Sequence, residues 1–322
     1  MTDNNKTDTS TRRDFLKTAG LATAAVAGGV LTAGVAQASS GHSATKKEYA
    51  GKTAFITGGA RGIGLATAQM FASHGANIVI FDIASTDIKG VGYEVANKDD
   101  LAKAKATIEK QGVSCLTVTG DVRNKKSLDK AVNQAISLFG TIDFMVANAG
   151  VTQIGYLPDF NETEVEAVID INVSGVIKTT QAVIPQMIKQ QSGRIVFISS
   201  ILGRKGNRDW PIYAASKWAV IGFAKSAAHL LGKHNITCNT LCPGLVDTKL
   251  VNNDFVLKRW LPHDPKWENV VGWVEQNHPI PKGVYQPAEI ANAVKIFCDP
   301  VTDTVTGEVF DISMGSSAEG LG

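Results

Sequence analysis

The residues Tyr213-Ala214-Ala215-Ser216-Lys217 open an apolar, alanine-rich stretch with helical character. One helical turn separates Tyr213 from Lys217, so the two side chains share a face. A lysine ammonium beside a phenol stabilises the phenolate, and should draw the tyrosine pKa down from about 10 toward neutrality. A phenol tuned in that way is a general base for an alcohol or a general acid for a carbonyl. Upstream, Ile198-Ser199-Ser200 closes an apolar run with the look of a buried strand. In a parallel sheet, ligands bind beyond the carboxyl ends of the strands. Ser200 is therefore placed to hydrogen-bond a reacting oxygen. Taken singly, a Tyr-x-x-x-Lys pair also describes an ordinary helix surface. The serine at a strand end and the glycine loop below turn the pair toward chemistry.

That loop is Thr57-Gly58-Gly59-Ala60-Arg61-Gly62-Ile63-Gly64. It follows a short β-rich run, Thr53–Thr57, and opens a helical pattern over Gly62–His74. Glycines at 58, 62 and 64 let the backbone turn tightly and approach a pyrophosphate, which the amides and dipole of the following helix would hold. A second apolar run, Ile78–Phe81, ends at Asp82. A carboxylate there accepts hydrogen bonds from ribose hydroxyls and repels a 2′-phosphate, so NAD is favoured over NADP. Arg61 points the other way, since a guanidinium in the loop could reach a 2′-phosphate. A plain structural turn for the glycines, and a solvated helix cap for Asp82, are the alternatives.

The elements that must position these groups alternate strand and helix. Further strands are predicted at Cys115–Val118, Phe144–Ala147, Arg194–Ile198, Thr237–Leu241 and Val309–Ile312, with helical patterns between most of them. Continuous apolar strands are buried on both faces. Their alternation with helices predicts an α/β fold, a parallel, doubly wound sheet with helices on both faces. A polar, charged excursion between Asp82 and Cys115 exceeds a minimal crossover. The 322 residues show no internal repeat and no linker that would split off a second domain. With 32 Lys and Arg against 30 Asp and Glu, the charge of +2 gives no footprint for nucleic acid or an anionic membrane. Cys115, Cys238, Cys242 and Cys298 lie scattered in apolar stretches and read as buried thiols, neither a disulfide framework nor a metal site.

The N-terminal segment reads as an address. Thr11-Arg12-Arg13-Asp14-Phe15-Leu16-Lys17 precedes a mildly apolar Ala- and Gly-rich run, and Ala36-Gln37-Ala38 offers a signal-peptidase site. The paired arginines resemble a twin-arginine (Tat) export signal over 1–38. An ordinary secretory signal or an uncleaved anchor are the other readings. Residues 39–50 read as a polar linker, and residues 51–322 as the mature domain. The expected location is the periplasm or beyond, with a cytoplasmic enzyme carrying a silent leader as the alternative.

Residues 51–322 resemble the short-chain dehydrogenase/reductase family. The loop carries the family's Thr-Gly-x-x-x-Gly-Ile-Gly pattern, which implies a Rossmann-type sheet and cofactor contacts at Gly58, Arg61, Gly62, Ile63 and Gly64. Asp121 and Val122, in Gly-Asp-Val, match the family position that holds the adenine ring. Asn148-Ala149-Gly150 matches the Asn-Ala-Gly after the fourth strand, with Ala147 where many members have a second asparagine. Asn172 matches the fourth catalytic residue, which the family uses to hold a water that connects the lysine to solvent. Ser200, Tyr213 and Lys217 complete that tetrad, and the resemblance gives Lys217 a second role on the nicotinamide ribose. Pro243-Gly244-Leu245-Val246-Asp247-Thr248 matches the segment that meets the nicotinamide carboxamide, through Val246 and Thr248.

The resemblance implies reversible hydride transfer between a secondary alcohol and a ketone, with no metal. A homo-oligomer, dimer or tetramer, is also expected from the family. Residues 249–286 correspond to its variable substrate lid. Here the lid holds Phe255, Trp260, Trp267, Trp273 and Tyr285, and Trp210 lies close to the catalytic tyrosine. Such aromatic enrichment suggests an apolar or cyclic substrate, unless the rings merely pin the lid to the sheet. Lys258, Arg259 and His263 could add an anionic contact or form a solvated face. The excursion and long lid are loosely similar to a carveol-dehydrogenase-like subgroup that keeps its NAD bound. An exported, nucleotide-bound binding or sensor protein with little turnover is the alternative function.

Overall fold

A computed structural model describes residues 47–318, so the expected export signal lies outside the described residues. In chain order the main elements are β1 (Thr53–Thr57), α1 (Gly62–Ser73), β2 (Asn77–Asp82), α2 (Lys98–Glu109), β3 (Cys115–Thr119), α3 (Lys125–Phe139) and β4 (Phe144–Ala147). The second half runs α4 (Glu162–Ile169), α5 (Gly175–Gln190), β5 (Gly193–Ile198), α6 (Pro211–Leu231) and β6 (Ile236–Pro243). It closes with α7 (Asp254–Trp260), α8 (Trp267–Asn277), α9 (Pro287–Ile296) and β7 (Val309–Ile312). The strands form one seven-stranded sheet in the order β3-β2-β1-β4-β5-β6-β7, parallel throughout. This is the doubly wound sheet expected from the alternating pattern.

Strand alternation explains why the apolar runs are continuous. Phe55, Val79 and Phe81 face one core with Leu128, Val183 and Met187. Ala54, Ile56, Ile78 and Ile80 face the other with Phe71, Ile108 and Val294. Helices cover both faces, so both registers are mainly apolar, with buried polar exceptions such as Thr53 and Asn239. Residues 47–50 depart from the expected linker. They form a turn in which Tyr49 is buried, its ring 4.8 Å from that of Phe144 and 5.8 Å from that of Phe71. The domain therefore begins before residue 51, because an aromatic side chain seals the bottom of the second core. No helix among the described residues is long and apolar enough to cross a membrane.

Between α4 and α5 the backbone widens into a π-helical turn, Asp170–Ser174. Asn172 sits in that turn and is fully buried. The order of the strands reverses direction between β1 and β4. A crevice at their carboxyl ends is the expected ligand position in such a sheet.

Candidate active site

The glycine loop is shaped by close approach. Gly58 and Gly62 hold positive φ angles of 66° and 58°. A Cβ on Gly64 would stand 2.1 Å from the Gly58 carbonyl oxygen, so only glycine lets the first turn of α1 fold back on the loop. Asn148, just past β4, donates both amide protons to the carbonyls of Thr57 and Gly58, each at 3.0 Å. The loop is thus tied to the neighbouring strand rather than free. Arg61 precedes α1 without a capping side-chain bond, and the first turn holds no acidic residue. The uncapped amides at this helix start suit an anion.

Asp82 is buried at the end of β2. Its carboxylate accepts from Ala60 N–H at 3.0 Å and from Ala84 N–H at 3.2 Å. Burial raises its pKa, while those backbone bonds and the Arg61 charge work against the rise. Arg61 itself donates to the Glu94 carbonyl at 2.6 Å, which ties the loop to the excursion. Asp121 is bound through several bonds to Arg123. Burial alone would raise the Asp121 carboxyl, but the Arg123 contacts outweigh it and hold it below the ordinary range.

The catalytic candidates meet at the other end. Ser200 closes the strand end after β5, accepts from Leu202 N–H at 3.1 Å, and stands near enough to the Tyr213 phenol to favour its ionised form. Lys217 is buried, donates to the Ile198 carbonyl at 2.9 Å and lies 5.5 Å from the Tyr213 ring centroid. Burial pushes the phenol up to about 12, against the influence of Ser200, and pushes Lys217 down to about 8. The expected depression of the tyrosine is therefore absent from the protein alone. The physical reason is that desolvation disfavours both charged forms, phenolate and ammonium, and exceeds the help each could give the other.

Asn172 acts on geometry first. Its amide donates to the Val151 carbonyl at 2.9 Å and to the Ser216 hydroxyl at 3.0 Å, and its oxygen accepts from Val151 N–H at 2.9 Å. Ser216 donates in turn to the Tyr213 carbonyl at 2.7 Å. The π-helical turn thus pins the strand-β4 loop to the helix that carries Tyr213 and Lys217. Ser199, which the sequence reading left unassigned, adds a second tie by donating to the Lys217 carbonyl at 2.9 Å.

One cavity of about 710 Å³ runs along these groups. Gly58, Arg61, Gly62, Ile63, Asp82, Asp121, Val122, Asn148, Ala149 and Gly150 line it, as do Ser200, Tyr213, Lys217, Pro243, Gly244, Val246 and Thr248. Gly64 and Asn172 do not, and serve from behind the wall. Thr248 closes over the loop, since a Cβ on Gly62 would meet its methyl at 3.4 Å.

The lid divides its aromatic residues between two roles. Trp260 and Trp273 line the cavity with Trp210, and the rings of Trp210 and Trp260 meet edge to face at 4.9 Å. Phe255 instead anchors α7, beside a small apolar cluster of Ile154, Trp210 and Val256 that also takes in Tyr213. Lys258, Arg259 and His263 do not line the cavity, and Arg259 stacks on Phe255 at 3.6 Å. The excursion adds wall residues that the sequence does not single out, Ile83, Ile88, Tyr93, Val95 and Ala96. Nothing in their spacing marks them, because they become neighbours of the site only through folding.

The residues present fit a nicotinamide dinucleotide. A glycine-only cradle at a helix start, a buried carboxylate at the end of β2 and a Ser–Tyr–Lys group share one cavity. Comparisons with known proteins agree. The short chain dehydrogenase family profile matches residues 52–256. Oxidoreductase UcpA of Salmonella typhimurium is 34% identical over 268 residues, covering 83% of this chain and 95% of that protein. The crystal structure of carveol dehydrogenase from Mycobacterium avium, in complex with NAD, superposes with a TM-score of 0.81 at 32% identity, covering 84% of this chain and 99% of that one. NAD+-bound xylitol dehydrogenase gives a TM-score of 0.74 at 28% identity, covering 84% of this chain and all of its own. The chain belongs to the short-chain dehydrogenases, a family of oxidoreductases.

Proposed function

We propose that the protein interconverts a secondary alcohol and a ketone with NAD, on an apolar or cyclic substrate. The observation that carries this reading is the grouping of Ser200, Tyr213 and buried Lys217 at the aromatic end of the cavity. Bound NAD would supply the hydride acceptor, and the protein's own groups do the rest. Gly58, Gly62 and the amides opening α1 hold the pyrophosphate, and Asp82 takes the adenosine ribose. Tyr213 moves the hydroxyl proton, and Ser200 fixes the reacting oxygen. Trp210 and Trp260 exclude water and favour a ring, with the half-exposed Trp273 at the rim. NAD in the carveol and xylitol dehydrogenase structures supports the same cofactor here.

A phenol held at about 12 keeps its proton at neutral pH, which suits donation to a carbonyl. Oxidation of cyclohexanol should accordingly quicken as pH rises from 7 toward 10. Following NADH absorbance with NAD and with NADP tests the reading. We expect turnover with NAD, a drop in kcat of about 10²–10⁴-fold in Tyr213→Phe, and a rise in the NADP-to-NAD ratio in Asp82→Ala. Undiminished turnover in Tyr213→Phe would refute it. We propose further that the protein works after export by the twin-arginine route, as a homo-oligomer. Cell fractionation and light scattering check these two points.

A further inference from the structure

Among the residues that line the cavity, Thr152 carries a buried hydroxyl that no described residue satisfies. The residue is 1% exposed. A buried hydroxyl left unpaired is costly, and in a cavity wall an incoming polar atom would satisfy it. Beside it stands Tyr93, supplied by the excursion after β2. The Tyr93 oxygen accepts from Thr152 N–H at 2.9 Å, which leaves its own O–H proton to donate, and no described residue takes it.

Both residues lie toward the substrate end. The Tyr93 ring is 6.1 Å from that of Phe255, which packs on the cluster containing Tyr213 and Trp210. The position is fixed from outside the cavity. A Cβ on Gly92 would overlap the Phe255 ring at 1.9 Å, so the excursion is seated tightly on α7. The Gln153 amide also bonds the Gly90 carbonyl. The hydroxyl pair is therefore built into the wall by two separate anchors.

We propose that Thr152 and Tyr93 form a subsite for a second oxygen on the substrate, so that the preferred substrate is a ring bearing two oxygen functions. Tyr93 donates and Thr152 donates or accepts, so either a hydroxyl or a carbonyl fits there. This deepens the reading of the cavity as an alcohol–ketone site and rests on it for the word substrate. A site built to hydrogen-bond an oxygen discriminates strongly against the analogue that lacks it.

The test compares cyclohexanol with cyclohexane-1,2-diol, -1,3-diol and -1,4-diol, in wild type, Thr152→Val and Tyr93→Phe, with NAD. Thermal shift by the same diols is recorded alongside. The expected result is that at least one diol exceeds cyclohexanol in kcat/KM by tenfold or more, and that this ratio falls toward one in both variants. Turnover of cyclohexanol with no preference for any diol overturns the subsite and leaves the alcohol–ketone reading intact. A preference that survives in both variants overturns the subsite equally. No turnover of any probe, with a diol-dependent thermal shift that both variants lose, supports the subsite and overturns the reaction. No turnover and no such shift overturns both.

Discussion

At the residue scale, Lys217 is the group under most stress. A lysine amine ordinarily titrates near 10.5, and burial brings this one to about 8. That difference corresponds to roughly 3 kcal/mol against holding the charge. The sign follows from proton linkage. Between about pH 8 and 10.5 the unfolded chain binds more protons than the folded one, so stability rises with pH through that window. Below about pH 8 both states are charged and the full penalty applies. Lys217→Met should therefore unfold at a higher temperature than wild type at pH 7, with the gain shrinking toward pH 10, while turnover is lost. Calorimetry at the two pH values checks this, and a destabilised variant at pH 7 would contradict it. The sequence announced Lys217 and Tyr213 by their spacing taken together with Ser200 and the glycine loop. It did not announce their pKa values, because desolvation depends on everything packed around a group rather than on its neighbour along the helix.

At the element scale, the site hangs on junctions. The loop from β1 to α1, the loop after β4 and the π-helical turn before α5 lock together through Asn148 and Asn172. Gly64→Ala should break the first junction, since its Cβ would sit 2.1 Å from a backbone oxygen with no flexible side chain to yield. A destabilisation of about 1–3 kcal/mol is expected, together with weakened NAD binding by isothermal titration. The strands, the glycine loop and the Ser–Tyr–Lys group were legible beforehand, because periodicity and turn chemistry are local. The excursion was legible only as a departure from a minimal crossover. That Tyr93 reaches the substrate end, and that Arg61 bonds the Glu94 carbonyl, depends on where that segment lands. The split of the lid aromatics between wall and anchor was hidden for the same reason, since Trp260 and Phe255 share one short helix.

At the scale of the whole molecule, all four cysteines are buried thiols. Burial pushes Cys115, Cys238 and Cys242 up to about 12, and Cys298 higher still. Little thiolate exists at neutral pH, and the thiolate is the reactive form. An aromatic disulfide reagent at pH 8 should therefore find almost no reactive thiol in the native protein and four after denaturation. Rapid labelling of the folded protein would contradict this. The fold thus needs neither an oxidising nor a reducing surrounding to hold together.

The contact between Gly62 and Thr248 has a consequence in time. The loop is made early in synthesis, yet its partners at Asn148 and Thr248 arrive much later. Chains emerge N-terminus first, and long-range pairings form last. While it is being made, the nascent protein carries a recognisable fingerprint with nothing yet able to grip the ligand. A dinucleotide present in the cell can therefore select finished molecules but cannot guide unfinished ones, and its hold on a chain records that translation has run past β6.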